Sequence, residues 1–114
     1  MDWHVIEARI RYLTPSEGGR QTGVASGYRG QFFYDDEDYD GFQLFPECGP
    51  AETVELGVEV RTFVQFLPIR WEQVHQHKLR VGMPFKIREG SRTVGNGTVT
   101  CLDVAASDWS RLLS

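Results

Sequence analysis

The chain has 114 residues, of which 40% are hydrophobic, and its formal net charge is −4. This length suits one domain whose core is large enough to fold without disulfides or metals. Cys48 and Cys101 form no Cys-x-x-Cys pair, the N-terminus has no apolar leader, and no apolar stretch approaches the ~20 residues of a membrane span. We therefore expect a single domain over residues 1–114 in a reducing cytoplasm, with no membrane contact.

The acidity of the chain is concentrated in one segment. Five carboxylates occupy the six positions from Asp35 to Asp40, and the remainder of the chain is nearly balanced in charge. Such a run is typical either of a solvated loop or of a surface that selects its partner by charge. Five basic residues later in the chain are interpreted as an ordinary solvated face: Lys78, Arg80, Lys86, Arg88 and Arg92.

Strand patterns dominate the sequence. Near the N-terminus, apolar residues at every second position alternate with charged ones: Ile6, Ala8, Ile10 and Tyr12. This alternation is typical of a half-buried strand. Further strands are predicted at 32–34, 42–45, 54–67, 85–88 and 98–104, with Pro68 ending the longest. Six short strands in so small a chain favour an all-β fold, a closed six-stranded antiparallel barrel.

Two segments lack a strand pattern. Residues 71–81 form either a helical turn or an extended hairpin. His75 and His77 would share one face of a strand and could ligate a metal there, but no third ligand is near, so a solvated loop is favoured and no metal site is predicted. The tail 105–114 is predicted to be a short helix capped by Ser107, with an apolar face made by Trp109, Leu112 and Leu113.

Three ordered runs carry a family resemblance: Glu17–Arg20, Gly27–Phe32 and Ile87–Gly95. In this order they closely resemble the third, C-terminal β-barrel domain of bacterial elongation factor Tu, and the resemblance covers about residues 7–102. In that family the barrel packs against the GTPase domain and helps to hold the acceptor and T arms of aminoacyl-tRNA. It also contributes to contacts with the nucleotide-exchange factor. The resemblance thus implies a barrel related to translation.

The same resemblance implies a set of site residues. It assigns Arg20, Gln31, Glu89 and Gly90 to the surface that faces tRNA. An arginine can bind a phosphate with two hydrogen bonds, an amide can bond sugar or phosphate oxygens, and a glycine lets the backbone approach closely. In the alternative interpretation, Arg20 and Glu89 pair with each other within the barrel and the glycines serve turns only.

The chain also departs from the family pattern. Gln21 stands where the family usually has histidine, and Gly30 replaces a proline. The acidic run Asp35–Asp40 replaces an Arg-Thr-Thr-Asp-Val-Thr-like segment, and about eight extra residues lie between Pro68 and Ile87. Five carboxylates near two phosphates would oppose RNA binding by on the order of 1 kcal/mol, which weakens the electrostatic term on which such binding depends.

Motifs for catalysis are absent from the sequence. It contains no Gly-x-x-x-x-Gly-Lys-Ser/Thr phosphate loop, so neither GTP binding nor GTPase activity is expected. It also contains no Gly-x-Ser-x-Gly elbow and no His-Glu-x-x-His metal helix. We therefore expect a protein that is not an enzyme and carries no cofactor.

Three functional hypotheses follow. The leading one is a non-catalytic module that engages a protein of the translation apparatus, with Arg29 and Phe32 as candidate contacts and the acidic run steering a basic partner. The second is a tRNA- or RNA-binding module that acts through Arg20, Gln31 and the Glu89–Gly90 turn. The third is a retained fold with an unrelated function.

Overall fold

A computed structural model of the protein describes residues 2–113, so the two ends of the predicted domain, Met1 and Ser114, lie outside the described residues. Seven strands form one sheet: β1 (His4–Tyr12), β2 (Gln31–Tyr34), β3 (Glu37–Tyr39), β4 (Phe42–Leu44), β5 (Glu59–Phe66), β6 (Pro84–Glu89) and β7 (Arg92–Cys101). All pairings between these strands are antiparallel. The prediction of an all-β antiparallel fold is therefore confirmed.

The alternation in the first strand places its apolar face in the core. Ile6, Ala8, Ile10 and Tyr12 are completely buried, and β1 pairs with β5 on one side and with β7 on the other. Because successive side chains of a strand point to opposite faces, these four residues line one surface of the sheet. The predicted N-terminal strand is confirmed.

The prediction of a closed six-stranded barrel is wrong. The strands follow the order β3-β2-β6-β7-β1-β5-β4, which makes a curled, seven-stranded half-barrel with β3 and β4 at its ends. The free edge of β4 pairs with a loop residue instead of with β3, through an isolated bridge between Gln43 of β4 and Tyr28. The backbone bonds of this bridge run from Gly27 N to Gln43 O at 2.8 Å and from Gln43 N to Tyr28 O at 2.9 Å. A loop segment thus takes the pairing positions that closure would require.

The additional strand comes from the acidic run. Asp35 and Asp36 both adopt positive φ angles, 53° and 60°, and form the two-residue turn of a hairpin between β2 and β3. Aspartate tolerates this left-handed conformation better than most residues, and two such residues give the turn whose twist suits a hairpin. Tyr39 is thereby brought back opposite Phe32 and is buried. The run is therefore a hairpin rather than a loop.

Several predicted strand ends are displaced. The predicted strand 54–67 is observed as Glu59–Phe66, because Gly57 has a φ of +84° and donates its N–H to Tyr12 O at 2.7 Å, which fixes a turn before β5. The last strand begins at Arg92 and ends at Cys101, earlier than the predicted 98–104 at both ends. Gly95 and Gly97 lie within this strand.

The extra residues after β5 form a helical insertion, which we define as residues 68–78. Its three contiguous parts are α-helical Pro68–Arg70, π-helical Trp71–His75 and α-helical Gln76–Lys78. The proline that ends the strand stands at the first helical position, where it costs no hydrogen bond. Of the two interpretations of this segment, the helical one is confirmed, and the strand geometry that would align His75 with His77 is wrong.

His75 is a core residue. Its side chain is completely buried, Nδ1 lies 2.6 Å from the Tyr34 hydroxyl, and the ring centroid is 4.3 Å from that of Phe66. Burial lowers the pKa of His75 to about 4, so the ring is neutral at physiological pH. His77 is exposed. Among residues 2–113, no group of three or more His, Cys, Asp or Glu side chains is placed to hold a metal.

The main core is rich in aromatic side chains. Phe32 is completely buried and stacks on Phe85 at a centroid distance of 4.2 Å, and it meets Phe66 edge-on at 5.1 Å. Aromatic pairs of this kind add about 0.5–1.5 kcal/mol beyond the burial of their area. The same core takes in Leu79, which directly follows the helical insertion, so the insertion is part of the hydrophobic structure.

Two short helices close the described chain. An α-helix spans Ala106–Trp109 and a 3-10 helix spans Ser110–Leu113; a further 3-10 turn lies at Pro15–Glu17. The helical prediction for the tail holds, but Ala105 occupies the N-cap position and Ser107 lies inside the helix. Leu113 is 51% exposed and so does not belong to the predicted apolar face. No helix within residues 2–113 is long and apolar enough to cross a membrane.

Candidate binding surface around Glu89

The candidate residues converge where β6 turns into β7. Glu89 ends β6 and pairs with Arg92 at the start of β7, which leaves Gly90 and Ser91 as the turn. Gly90 has a φ of +63° and nothing within 4 Å of the position of a Cβ, so its backbone is open to approach. Arg20 reaches this turn from the loop that follows β1.

Glu89 is the centre of a polar cluster. Its Oε2 accepts a hydrogen bond of 2.5 Å from the Tyr28 hydroxyl and pairs with Nη1 of Arg20, while its Oε1 accepts from Arg92 Nη2 at 3.1 Å. The Arg20 guanidinium also lies 5.1 Å from the centre of the Tyr28 ring, a cation–π contact. One carboxylate thus holds two arginines and a tyrosine together.

The cluster shifts the pKa values of its members. Partial burial alone would raise the pKa of Glu89, but the hydrogen bonds from Tyr28, Arg20 and Arg92 lower it below its ordinary value. Burial, followed by the bond to Glu89, raises the pKa of Tyr28. Glu89 is therefore ionised and Tyr28 neutral at physiological pH, and the carboxylate offsets the charge of the arginines beside it.

Arg88 and Gln31 extend the cluster across the sheet, because they are direct partners in the β2–β6 ladder. Arg88 lies 4.2 Å from the centre of the Phe33 ring, and its Nε is 3.7 Å from Asp38 Oδ1. The Oε1 atom of Gln31 is buried and has no hydrogen-bond partner among the described residues. This surface therefore contains an unused acceptor beside a paired arginine.

Arg29 differs from the other arginines of this surface. It is exposed, its guanidinium stacks 5.0 Å from the centre of the Phe42 ring, and no described carboxylate lies within ion-pair distance of it. Arg29 and Gln31 line one open depression of about 490 Å³ together with Tyr28, Gly30, Arg88, Glu89 and Gly90.

The structure brings most of the predicted site residues together. Arg29, Gln31, Glu89 and Gly90 line the depression, and Arg20 joins it through Glu89. Phe32 does not, because its neighbours on β2 face outward while its own ring is completely buried in the core. The candidate role of Phe32 as a surface contact is therefore corrected to a role in packing.

Three members of this surface are not among the site residues predicted from the sequence: Tyr28, Arg88 and Arg92. Tyr28 stands inside the Gly27–Phe32 run, so the run itself was a signal, but only the fold places its hydroxyl on Glu89. Arg88 was assigned to a solvated face, whereas its cross-strand position opposite Gln31 makes it part of the depression. The acidic hairpin approaches from the same side, since Asp38 pairs with Arg88.

A comparison with known proteins identifies the family of the chain. A family model described as the elongation factor Tu C-terminal domain matches residues 2–103. The match includes all seven strands and every candidate residue from Arg20 to Gly90. It confirms the resemblance carried by the three sequence runs and extends beyond residues 7–102 at both ends. The chain belongs to the elongation factor Tu C-terminal domain family.

Proposed function

We propose that this chain is a non-catalytic, cytoplasmic binding module that engages a protein of the translation apparatus through the surface around Glu89. Family membership supports the link to translation. The observation that carries the choice of a protein partner is that three of the four arginines at this surface, Arg20, Arg88 and Arg92, are paired with carboxylates of the chain itself. The proposal includes neither a cofactor nor bound GTP, because the sequence has no phosphate loop.

Three arginines of this surface lie beside carboxylates of the chain. Arg20 and Arg92 both pair with Glu89, and Arg88 has Asp38 at 3.7 Å. Free cations supply much of the affinity for nucleic acid. Because these arginines are already paired, a polyanion would have to compete with the carboxylates for them. A protein partner carries a less dense charge than a polyanion. It can form hydrogen bonds with the paired side chains without displacing the carboxylates.

Arg29 and Gln31 offer specific contacts for such a partner. Arginine is enriched at interfaces, where a planar cation stacked on an aromatic ring is already ordered before binding. The stack of Arg29 on Phe42 has this form. Gln31 lines the same depression, and its buried Oε1 has no donor among the described residues, so turning its amide toward a partner that donates a hydrogen bond would remove a cost of about 1–3 kcal/mol.

The proposal is tested by affinity capture on the immobilised full chain. The wild type is compared with the variants Arg29→Ala and Gln31→Ala, and Arg9→Ala serves as a matched control because Arg9 is an exposed arginine on β1 outside the depression. Quantitative mass spectrometry should show a translation protein that is enriched on wild type and control but reduced at least threefold on both site variants. Equal capture by all four proteins would contradict the proposed surface.

RNA binding is the second candidate, and the unpaired charge of Arg29 beside the open backbone of Gly90 favours it. In that case bulk tRNA should bind the full chain with an affinity that falls steeply as the salt concentration rises. Arg29→Ala should reduce this affinity by about the same factor for different RNA sequences. A chain that fails both tests supports the third hypothesis, in which the fold persists with an unrelated function.

A further inference from the structure

Arg29 is the arginine of the surface around Glu89 whose donors the chain leaves unused. The other three each donate at least one hydrogen bond to the chain: Arg20, Arg88 and Arg92. The guanidinium of Arg29 stacks on the Phe42 ring, and no acceptor in the described part of the chain lies within hydrogen-bond distance of it. Because this side chain is exposed, its planar set of N–H donors is open to a ligand.

The backbone pairing explains why Arg29 meets Phe42. Tyr28 and Gln43 form the isolated antiparallel bridge, so the residue after Tyr28 lies opposite the residue before Gln43. The guanidinium of Arg29 accordingly lies 5.0 Å from the centre of the Phe42 ring. This ring is held in turn by Trp3, which meets it edge-on at 5.4 Å and packs against buried apolar residues of the sheet. Arg29 thus rests on a ring that is itself fixed.

Gln43 fixes the backbone on both sides of this stack. Its side chain is completely buried, and its Nε2 donates to Gly30 O at 2.9 Å and to Gly41 O at 2.7 Å. Gly30 directly follows Arg29, and Gly41 directly precedes Phe42. One buried amide therefore ties together the two backbone segments that carry the cation and the ring. An arginine held in this way loses less conformational freedom on binding than a mobile one does.

The charges of this surface are complementary to one further carboxylate. The surface has four arginines but two carboxylates, which leaves an excess of positive charge: Arg20, Arg29, Arg88 and Arg92 against Glu89 and Asp38. Asp38 already lies beside Arg88, and the exposed Asp36 stands at the turn of the same hairpin. These carboxylates disfavour a long acidic tract by repulsion. The complement is therefore a single acidic side chain that binds Arg29.

We propose that the protein partner presents one aspartate or glutamate carboxylate to Arg29, and that Phe42 is the positioning residue that holds the guanidinium ready for it. The two oxygens of a carboxylate accept parallel hydrogen bonds from the planar guanidinium, which fixes the orientation of the partner as well as its charge. This inference rests on the proposed function, since it names the group by which the protein partner is recognised.

The first test follows the arginine Nε–Hε signals of the isotope-labelled full chain by NMR spectroscopy. The probes are N-acetyl-aspartate N-methylamide, the matching asparagine compound, and dimethyl phosphate, a monoanion that represents the phosphodiester of RNA. The aspartate compound should shift the signal of Arg29 at least threefold more than that of Arg9, an exposed arginine without a ring stack or an ion pair among the described residues. The uncharged asparagine compound should shift neither signal.

Two outcomes of this titration would overturn the inference. One is an equal shift of Arg29 and Arg9, which would show that Arg29 is not a built site. The other is a larger shift of Arg29 with dimethyl phosphate than with the aspartate compound, which would favour a nucleic acid. The titration needs no partner, so either outcome is decisive even where capture on the immobilised chain succeeds. Absence of capture contradicts the proposed function instead.

The second test examines the role of Phe42 through the mobility of the Arg29 side chain. NMR relaxation should give the Arg29 Nε–Hε group an order parameter above about 0.6 in the wild type and below it in Phe42→Leu. Phe42→Tyr keeps the ring and should keep the order. A merely structural role of Phe42 would leave this value unchanged in a folded Phe42→Leu protein and would contradict the positioning role. If Phe42→Leu does not fold, the wild type decides, because an Arg29 no more ordered than Arg9 would also contradict it.

Discussion

The hydroxyl of Tyr28 donates a hydrogen bond of 2.5 Å to the carboxylate of Glu89, 61 positions later in the chain. Tyr28→Phe removes this bond and keeps the ring, so we expect a loss of about 1–2 kcal/mol in the free energy of unfolding, measured by denaturant titration. Tyr39→Phe is the control, because its hydroxyl bonds the exposed Glu37 at 3.0 Å and should contribute less. Equal losses in both variants would argue against Glu89 as the centre of the cluster.

The hairpin turn at Asp35 and Asp36 predicts a stabilising substitution. Both residues have positive φ, and Asp-Gly is among the preferred pairs for such a turn. Asp36→Gly should therefore raise the free energy of unfolding by about 0.5–1 kcal/mol. Asp36→Asn removes the same charge but keeps a side chain, which separates the backbone effect from the electrostatic one. A glycine variant no more stable than the asparagine variant would show that the turn carries no such cost.

Burial of His75 predicts a loss of stability in acid. The pKa of His75 is lowered to about 4 in the folded chain, against an ordinary value near 6.5. Between these values the unfolded chain binds a proton at this residue that the folded chain does not. The free energy of unfolding is therefore highest above pH 6.5 and falls as the pH decreases toward 4. The loss over this window is on the order of 3 kcal/mol.

The measurement is the free energy of unfolding as a function of pH. His75→Phe should flatten its slope between pH 6.5 and 4, whatever its effect on absolute stability. His77→Phe, at an exposed histidine of the same insertion, is the control for introducing a phenylalanine there. If the slope in His75→Phe matches that of wild type, other groups cause the acid sensitivity.

The close packing around Gly97 predicts that a larger residue at this position destabilises the sheet. A Cβ at this position would lie 2.4 Å from the Phe85 ring, which is buried and stacked on Phe32 and so cannot easily move. Gly97→Ala should cost about 1–3 kcal/mol by overpacking, seen as a lower melting temperature. Gly49→Ala is the matched control, since a Cβ there meets nothing within 4 Å. A Gly97→Ala protein as stable as the control would mean that the core can accommodate the methyl group.

Much of the fold could be predicted because local pattern and tertiary environment agree. The alternation of apolar and charged residues from Ile6 to Tyr12 indicates a strand with one buried face, and Pro68 follows the end of β5. The third strand could not be recognised in the same way. Asp35–Asp40 is rich in residues that disfavour strands, and Tyr39 is held in place by its pairing with Phe32, which only the folded hairpin supplies.

The site was predictable in composition but not in geometry. The sequence runs identified Arg20, Gln31 and Glu89, but they could not show which charges meet, because the partners are far apart in the chain. Phe32 was misplaced because β2 buries alternate residues and the run alone does not reveal which set faces inward. The alternative in which Arg20 and Glu89 form an ion pair describes the observed contact.

Carboxylates of the chain pair with three of the four arginines of the candidate surface, and we propose for this reason that the surface suits a protein better than RNA. The most direct test is fluorescence anisotropy with bulk tRNA at low and physiological salt, comparing the full chain with Glu89→Gln. We expect little binding by the wild type at physiological salt. The variant frees Arg20 and Arg92 while keeping an acceptor for Tyr28, so it should bind more tightly, with a salt dependence steeper by about 1.5 in log–log slope. Tight binding by the wild type that the substitution leaves unchanged would contradict the account.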